Sequence, residues 1–339
     1  MVPFMPKKIL FIIGSLNQTR QAHAVGQQLA QEYDCYYTHF YCDGWLHWLV
    51  EHGWFNNSIL GKSGQFRQRA DAYVKAHQLP LDDRGEGHDY DLVVTTSDLI
   101  IQRNIRHKRL ILLQEGMTDP ENLAYHLVTR LPLPRYLAGT AANGLSHAYD
   151  IFCVASEGYR QDFIRKGACP ESMVVTGMPN YDHAVQYRQN SFPYHHYVLV
   201  ATSDARETWK WDNRQAFLRW ALAIANGRPL IFKLHPNEKK ERATAEILKM
   251  APQALVLTEG NVDEMIANCE VLITQYSTVV YTGIALGKEV HSYFDVEKLK
   301  ALTPWQNGGT SAQRIAQVCR AVIEEGPAVA QERFAYALA

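Results

Sequence analysis

The chain lacks a long apolar run: nothing in it approaches the ~18 consecutive apolar residues of a membrane-spanning helix. It also lacks paired cysteines. The six present (Cys35, Cys42, Cys153, Cys169, Cys269 and Cys319) show no C-x-x-C spacing, so the usual zinc and thiol-redox patterns are excluded. Cys153, Cys269 and Cys319 sit in apolar surroundings and are expected as reduced core thiols. The fourteen histidines do not cluster at metal-ligand spacing, so no structural metal and no resident cofactor are expected. Charge of one sign is missing too. A net charge of -1 gives no global attraction to nucleic acid or to an anionic membrane, and no nucleic-acid partner is expected. No G-x-G-x-x-G is present, which removes the dinucleotide fingerprint. Lys7-Lys8 and the apolar Ile9 to Ile13 are too short for a signal peptide and are expected to form a first strand in a cytoplasmic protein.

What is present is regular alternation. At 339 residues, 47% hydrophobic and 20% charged, the chain is long enough for two domains of ordinary globular composition. Short apolar runs alternate with amphipathic segments. In the first half, strands are predicted at Lys8 to Gly14, Asp34 to Tyr41, Asp91 to Thr95, Arg109 to Leu113, Asp150 to Val154 and Met173 to Thr176. In the second half they are predicted at Tyr197 to Ala201, Pro229 to Phe232, Ala254 to Leu257, Glu270 to Thr274 and Glu289 to Tyr293. Intervening helices include Gln21 to Tyr33, Glu157 to Lys166, Asn213 to Asn226, Lys239 to Met250, Val262 to Asn268 and Thr278 to Leu286, and the last clear one is Ser311 to Glu324. Such alternation predicts an α/β protein with two Rossmann-like domains, their parallel sheets facing a central cleft. The expected boundaries are 1–187 for an acceptor-side domain, 195–325 for a donor-binding domain and 326–339 for a C-terminal tail or helix.

Ligands of open α/β sheets bind at the carboxyl ends of the strands, so the polar residues there are the candidates. Phe232-Lys233-Leu234-His235-Pro236 and Ile273-Thr274-Gln275-Tyr276-Ser277-Thr278 place a cation, a histidine and two hydroxyls at strand ends, a set suited to phosphate. Pro236 fixes the turn that holds His235, and Ser277-Thr278 are expected to open a helix whose amides favour an anion. Lys233 shares the His235 side of the strand by period two, or snorkels to solvent. In the first half, Asp98 and Glu115 follow successive strands, where carboxylates suit general-base work; Asp98 is also readable as a helix N-cap. Glu115-Gly116, one residue beyond the apolar run Leu110 to Leu113, is the stronger base candidate. Gly14-Ser15 is read either as lining the cleft or as a plain turn, and Gly177 as part of a hinge at its edge. Glu259 has the position of a ribose-binding carboxylate. The aromatic segment Trp45-Leu46-His47-Trp48-Leu49 to Trp54-Phe55 is expected first as a helix packed inside the domain. Its alternative is an exposed helix that binds a membrane or an acceptor.

At these residues the chain resembles the glycosyltransferase B architecture, and within it the bacterial sialyltransferases and CDP-glycerol glycerophosphotransferases. Gln114-Glu115-Gly116, His235-Pro236 and Ser277-Thr278 occupy, in order, the places of the sialyltransferases' acidic, His-Pro and Ser-Ser/Thr motifs. Ile273 to Val279 and Ala285-Leu286-Gly287-Lys288 are similar to a run in the glycerophosphotransferases. The resemblance implies that Glu115 deprotonates an acceptor hydroxyl, His235 assists the leaving phosphate, and Ser277 and Thr278 hold that phosphate. It also implies a C-terminal helix crossing back onto the first domain. The implied partners are a nucleotide-sugar or CDP-alcohol donor and a glycan or lipid-linked hydroxyl acceptor, with peripheral membrane contact left open. Gln275 and Gln114 depart from the acids usual in those motifs, which keeps an inactive nucleotide-sugar-binding scaffold as an alternative. A second resemblance is to the hydrolysing UDP-N-acetylglucosamine 2-epimerases, whose two acids match Asp98 and Glu115 and whose His-Pro-Asn matches His235-Pro236-Asn237. Their Ser-Gly-Gly turn is missing and only Thr19-Arg20 is reminiscent of their Gly-Thr-Arg-Pro, so the transferase is preferred.

Overall fold

In the computed structural model, residues 6–56, 58–207 and 212–335 are described. The chain divides into two compact units, Met1–Asp182 with Asn307–Ala339, and His183–Gln306. The first contains β1 (Lys8–Ile13), α1 (Leu16–Leu29), β2 (Asp34–His39), α2 (Gly44–Glu51), α3 (Gln65–Ala76), β3 (Leu92–Thr95), β4 (Leu110–Leu113), α4 (Leu123–Arg130), β5 (Ile151–Val154), α5 (Glu157–Lys166) and β6 (Met173–Val175). The second contains β7 (Val198–Ala201), α6 (Arg214–Ala225), β8 (Leu230–Lys233), α7 (Lys240–Met250), β9 (Leu255–Leu257), α8 (Val262–Asn268), β10 (Val271–Thr274), α9 (Val280–Ala285), β11 (Glu289–His291) and α10 (Val296–Leu302). Then α11 (Ser311–Glu324) and α12 (Pro327–Ala335) return to the first unit. Of the expected C-terminal tail or helix, residues 336–339 lie outside the described residues.

Both sheets are parallel throughout, ordered β2-β1-β3-β4-β5-β6 and β11-β10-β7-β8-β9. These are two Rossmann-like α/β units. Sheets covered on both faces explain why the strands read as continuous apolar runs: β3, β4, β5, β7 and β10 are buried at every position. Polar residues therefore collect at the strand ends, where the candidates lie.

Helix α11 was expected in the second half but packs on the first. Ile315, Ala316, Cys319 and Val322, at helical spacing, join the core formed by Phe11, Val25, Val94 and Ile111. Both of its ends are tied down. Asp182 accepts a hydrogen bond from the Ser311 N–H (2.9 Å), and Arg109 donates to the carbonyls of Val322 (2.7 Å) and Ile323 (2.8 Å). All six cysteines are free thiols, with Cys153, Cys269 and Cys319 buried.

The aromatic segment departs from its first expectation. On α2 only Leu46 and Val50 are buried, against Cys42, while Trp45 (66% exposed) and Trp48 (58%) face outward. Spacing of i, i+3 on the outer side and i, i+4 on the inner makes both faces of this short helix apolar, and only one of them has a core to enter. No helix of the described residues is long and apolar enough to cross a membrane.

Candidate functional site

In the first unit the site grows from the β1–α1 turn. Ser15 caps α1 in a capping box with Gln18: the Gln18 N–H donates to Ser15 Oγ (3.2 Å) and the Ser15 N–H to Gln18 Oε1 (2.9 Å). The box leaves the Ser15 hydroxyl and the Gln18 amide NH2 free to point onward, and both reach Glu115 after β4. Ser15 Oγ donates to Glu115 Oε1 (2.9 Å) and Gln18 Nε2 to Oε2 (2.8 Å). Gly14 makes the approach possible, because a Cβ there would stand 2.2 Å from Gln18 Oε1. Crowding by protein raises the Glu115 pKa above the ordinary carboxylate value, while the bonds from Gln18 and Ser15 pull it back down. The result is a proton acceptor held at both oxygens by neutral donors.

Gln114, the departure from an acidic motif, has a physical reason. Its Nε2 donates to the Gly116 carbonyl (3.1 Å) while its Oε1 accepts from the Ala155 N–H (2.9 Å), and its own carbonyl receives Gln21 Nε2 (2.9 Å). A buried side chain that must donate and accept at once is an amide; a carboxylate would face the Gly116 oxygen. Gln114 thus braces the turn that carries Glu115.

Asp98 does not join Glu115, although β3 and β4 are neighbours. It has no exposed surface, and its two oxygens accept from the Gly144 and Ser146 N–H groups, both at 2.9 Å. It braces the 144–146 turn; no helix follows it to be capped. Gly177 (φ +82) packs against α11, where a Cβ would meet Ser311 Oγ at 2.2 Å. Its setting is the contact between the β6 turn and that helix.

In the second unit the central element is the end of β7, Thr202-Ser203-Asp204. These residues reach both neighbouring strand ends. The Thr202 hydroxyl receives the His235 N–H (3.1 Å) and donates to the Glu238 carboxylate; Ser203 Oγ donates to Gln275 Oε1 (2.8 Å). His235 to Glu238 form a turn with Pro236 at its second position, closed by the Glu238 N–H on the His235 carbonyl (3.0 Å). Glu238, fully buried, also accepts from the His235 N–H (2.9 Å) and pairs with buried Arg214. The ring's Nδ1 receives the Asn237 N–H (3.2 Å), and Asn237 Nδ2 is bonded to Asp204 (2.7 Å). With Nδ1 accepting, a neutral imidazole carries its proton on Nε2. His235 is half-buried, with about a third of its side chain exposed.

The other candidates in this unit fare differently. Lys233 is buried, with Nζ donating to the carbonyls of Leu234 (2.9 Å) and Thr258 (3.3 Å), and burial lowers its pKa. It points inward to backbone, unlike the phosphate ligand or snorkelling cation expected. Glu259 is largely exposed and paired with Lys240 (2.5 Å), which lowers its pKa through the hydrogen bond. Ser277 and Thr278 are partly buried after β10, but α9 begins two residues later at Val280 and has six residues, too short for the helix-terminus argument. Tyr276 is 51% exposed and lies edge-on to Tyr293 and Phe294. Gln275 bridges Ser203 and Asp212 (Nε2 to Oδ1, 2.8 Å). An aspartate at that position would oppose the Asp212 carboxylate, which accounts for the second departure.

Sequence reasoning missed Gln18, Gln21, the Thr202–Asp204 end and the Glu238–Arg214 pair. Two carried visible signals: Ser15-x-x-Gln18 is a capping box, and Thr202-Ser203-Asp204 follows an apolar strand as the chosen clusters do. The Glu238–Arg214 pair joins residues 24 apart and has no local signature.

No family model and no curated protein matches the sequence. Solved structures do match by fold. The UDP-GlcNAc 2-epimerase of Methanocaldococcus jannaschii, in complex with UDP-GlcNAc and UDP, is similar over 92% of this chain and 99% of its own (TM-score 0.55, 13% identity). The UDP-N-acetylglucosamine 2-epimerase of Rickettsia bellii is similar over 95% and 98% (TM-score 0.54, 12% identity). The wall teichoic acid polymerase TagF is similar over 95% and 90% (TM-score 0.50, 13% identity). At such identities the likeness establishes the fold, two Rossmann-like units of the glycosyltransferase B type.

Proposed function

We propose that the protein is an enzyme transferring a glycosyl or glycerophosphoryl group from a nucleotide-activated donor to a hydroxyl acceptor, in the synthesis of a surface glycan or polymer. The observation that carries the proposal is Glu115, a carboxylate of raised pKa oriented at both oxygens by Ser15 and Gln18 at a strand end. In the reaction the acceptor oxygen attacks the activated carbon or phosphorus, Glu115 takes the acceptor proton, and the nucleotide leaves with the bonding electron pair. The Nε2–H of His235 and the hydroxyls of Ser277 and Thr278 are the donors proposed for the leaving phosphate. Asp98, Lys233 and Gly177 are left out of the reacting set because their polar atoms or surfaces are spent on structure. Cytidine-linked donors are the first candidates, from the motif resemblance.

The epimerase reading is favoured by neighbours that bind UDP-GlcNAc. It needs two acids, and here the second, Asp98, has both oxygens occupied. Thermal unfolding with CMP, CDP, UDP, UMP and GDP tests the choice, since a ligand of the native state alone raises Tm. Stabilisation by CMP or CDP supports the transferase. Stabilisation by UDP alone moves the assignment to the epimerase or a UDP-sugar transferase, and no shift with any nucleotide overturns the assignment to a nucleotide-activated donor.

A further inference from the structure

The outer face of the first unit carries apolar groups that the core does not use. Trp45 and Trp48 stand on α2, Trp54 and Phe55 follow it, and each is at least 41% exposed. Phe55 is held at φ 65, a conformation costly for a bulky residue, and still presents its ring to solvent. On α4 the exposed Leu123 and Leu127 share one side with Leu131 just beyond the helix, at spacings of four. At the start of α2 an open cavity of about 700 Å³ is lined by Trp45 and, from the segment that follows α4, by the exposed Leu133 and by Pro134.

Arginines outnumber acids around this cavity. Arg103, Arg106 and Arg135 line it, and Arg130 ends α4. Among the described residues none of the four is in an ion pair with a carboxylate. Arg106 and Arg135 donate to backbone carbonyls (Ile101, 3.3 Å; Asp98, 3.0 Å), and Arg135 Nε is buried with no partner. Asp43, the acid in the lining, is already bonded by Arg84 (2.8 Å). A chain with net charge -1 has thus gathered three arginines without carboxylate partners around a cavity that exposed Trp45 lines.

We propose that this face docks on the surface of an anionic lipid bilayer. Tryptophan favours the headgroup region, where one end of the ring system is apolar and the other wet. Leucines inserted beside it are removed from water, and arginines at the rim meet lipid phosphate with their planar donor forks. A second copy of the chain fits less well, because a symmetric pairing would set arginine against arginine. Docking of this kind goes beyond the transfer reaction and needs no particular chemistry at Glu115.

The test is sedimentation of the full chain with vesicles of phosphatidylglycerol and phosphatidylcholine, against vesicles of phosphatidylcholine alone. The wild type is expected to sediment with the anionic vesicles and to be released by salt. R103E/R106E should weaken binding by about fivefold or more per arginine, and W45S/W48S by about tenfold or more. Those four side chains are exposed, so both variants should keep the wild-type Tm. Failure to bind phosphatidylglycerol vesicles, or binding unchanged in both variants, overturns the proposal. So does a wild-type dimer in sedimentation velocity that W45S/W48S makes monomeric, which would assign the face to a second copy.

Discussion

The two units hold their candidate groups by opposite means. In the first, Glu115 is oriented by neutral donors, a serine hydroxyl and a glutamine amide that already belong to a helix cap. In the second, the His235 turn is fixed by a buried ion pair, Glu238 with Arg214, to which Thr202 and the His235 amide are added. Neutral donors leave the carboxylate's charge uncompensated, so its pKa stays raised and it keeps its appetite for a proton. A buried ion pair costs desolvation but locks a turn in one geometry. The first arrangement suits a group that must change protonation, the second a group that must only stay in place.

Breaking the buried pair should therefore have the largest effect on stability. Glu238→Ala strips buried Arg214 of its close carboxylate, leaving Asp212 and Glu246 at 3.9 Å, and is expected to destabilise by about 3 kcal/mol, read from urea titration. A loss below about 1 kcal/mol would show that the pair does not hold the turn. The corresponding change in the first unit, Gly14→Ala, pushes the Gln18 amide away from Ser15 and Glu115. It should cost about 0.5–2 kcal/mol, the worth of a helix cap, while lowering turnover by a larger factor. Equal loss in the two measurements would reduce Gly14 to scaffolding.

The smallest effect is the sharpest in sign. Because the folded-state pKa of Glu115 is raised, folding favours its protonated form. That contribution is fully present below the unfolded value of about 4.3 and is lost as pH rises through the folded pKa. Glu115→Gln has no such loss, so its Tm should exceed that of the wild type at neutral pH, with the difference shrinking below about pH 4. A variant less stable than the wild type at pH 7 would mean that Ser15 and Gln18 outweigh burial.

Much of the fold was legible because parallel strands buried on both faces must be continuous apolar runs. Glu157–Lys166, Val262–Asn268 and Ser311–Glu324 were predicted to the residue, each bounded by capping or breaking residues such as Ser156, Gly167 and Asn261. What periodicity does not carry is destination. Nothing local says that α11 packs on the first sheet, since that depends on Asp182 and Arg109 meeting its two ends. The site was legible to the same depth. Strand ends located Glu115 and His235, but direction decided the rest: Lys233 and Asp98 stand at strand ends and turn to backbone groups that no sequence pattern reveals. The aromatic helix misled because Leu46 and Val50 do face a core, and the tryptophans between them take the other side.

The most direct measurement is nucleotide release from a panel of CMP-, CDP- and UDP-activated donors, with and without a mixture of hydroxyl acceptors, by wild type and Glu115→Gln. The account predicts release by the wild type that depends on acceptor, and a fall of about 10²-fold or more in the variant with nucleotide affinity unchanged. Equal release by the two proteins would remove Glu115 from the chemistry. Release that ignores the acceptor would contradict the transfer reaction itself.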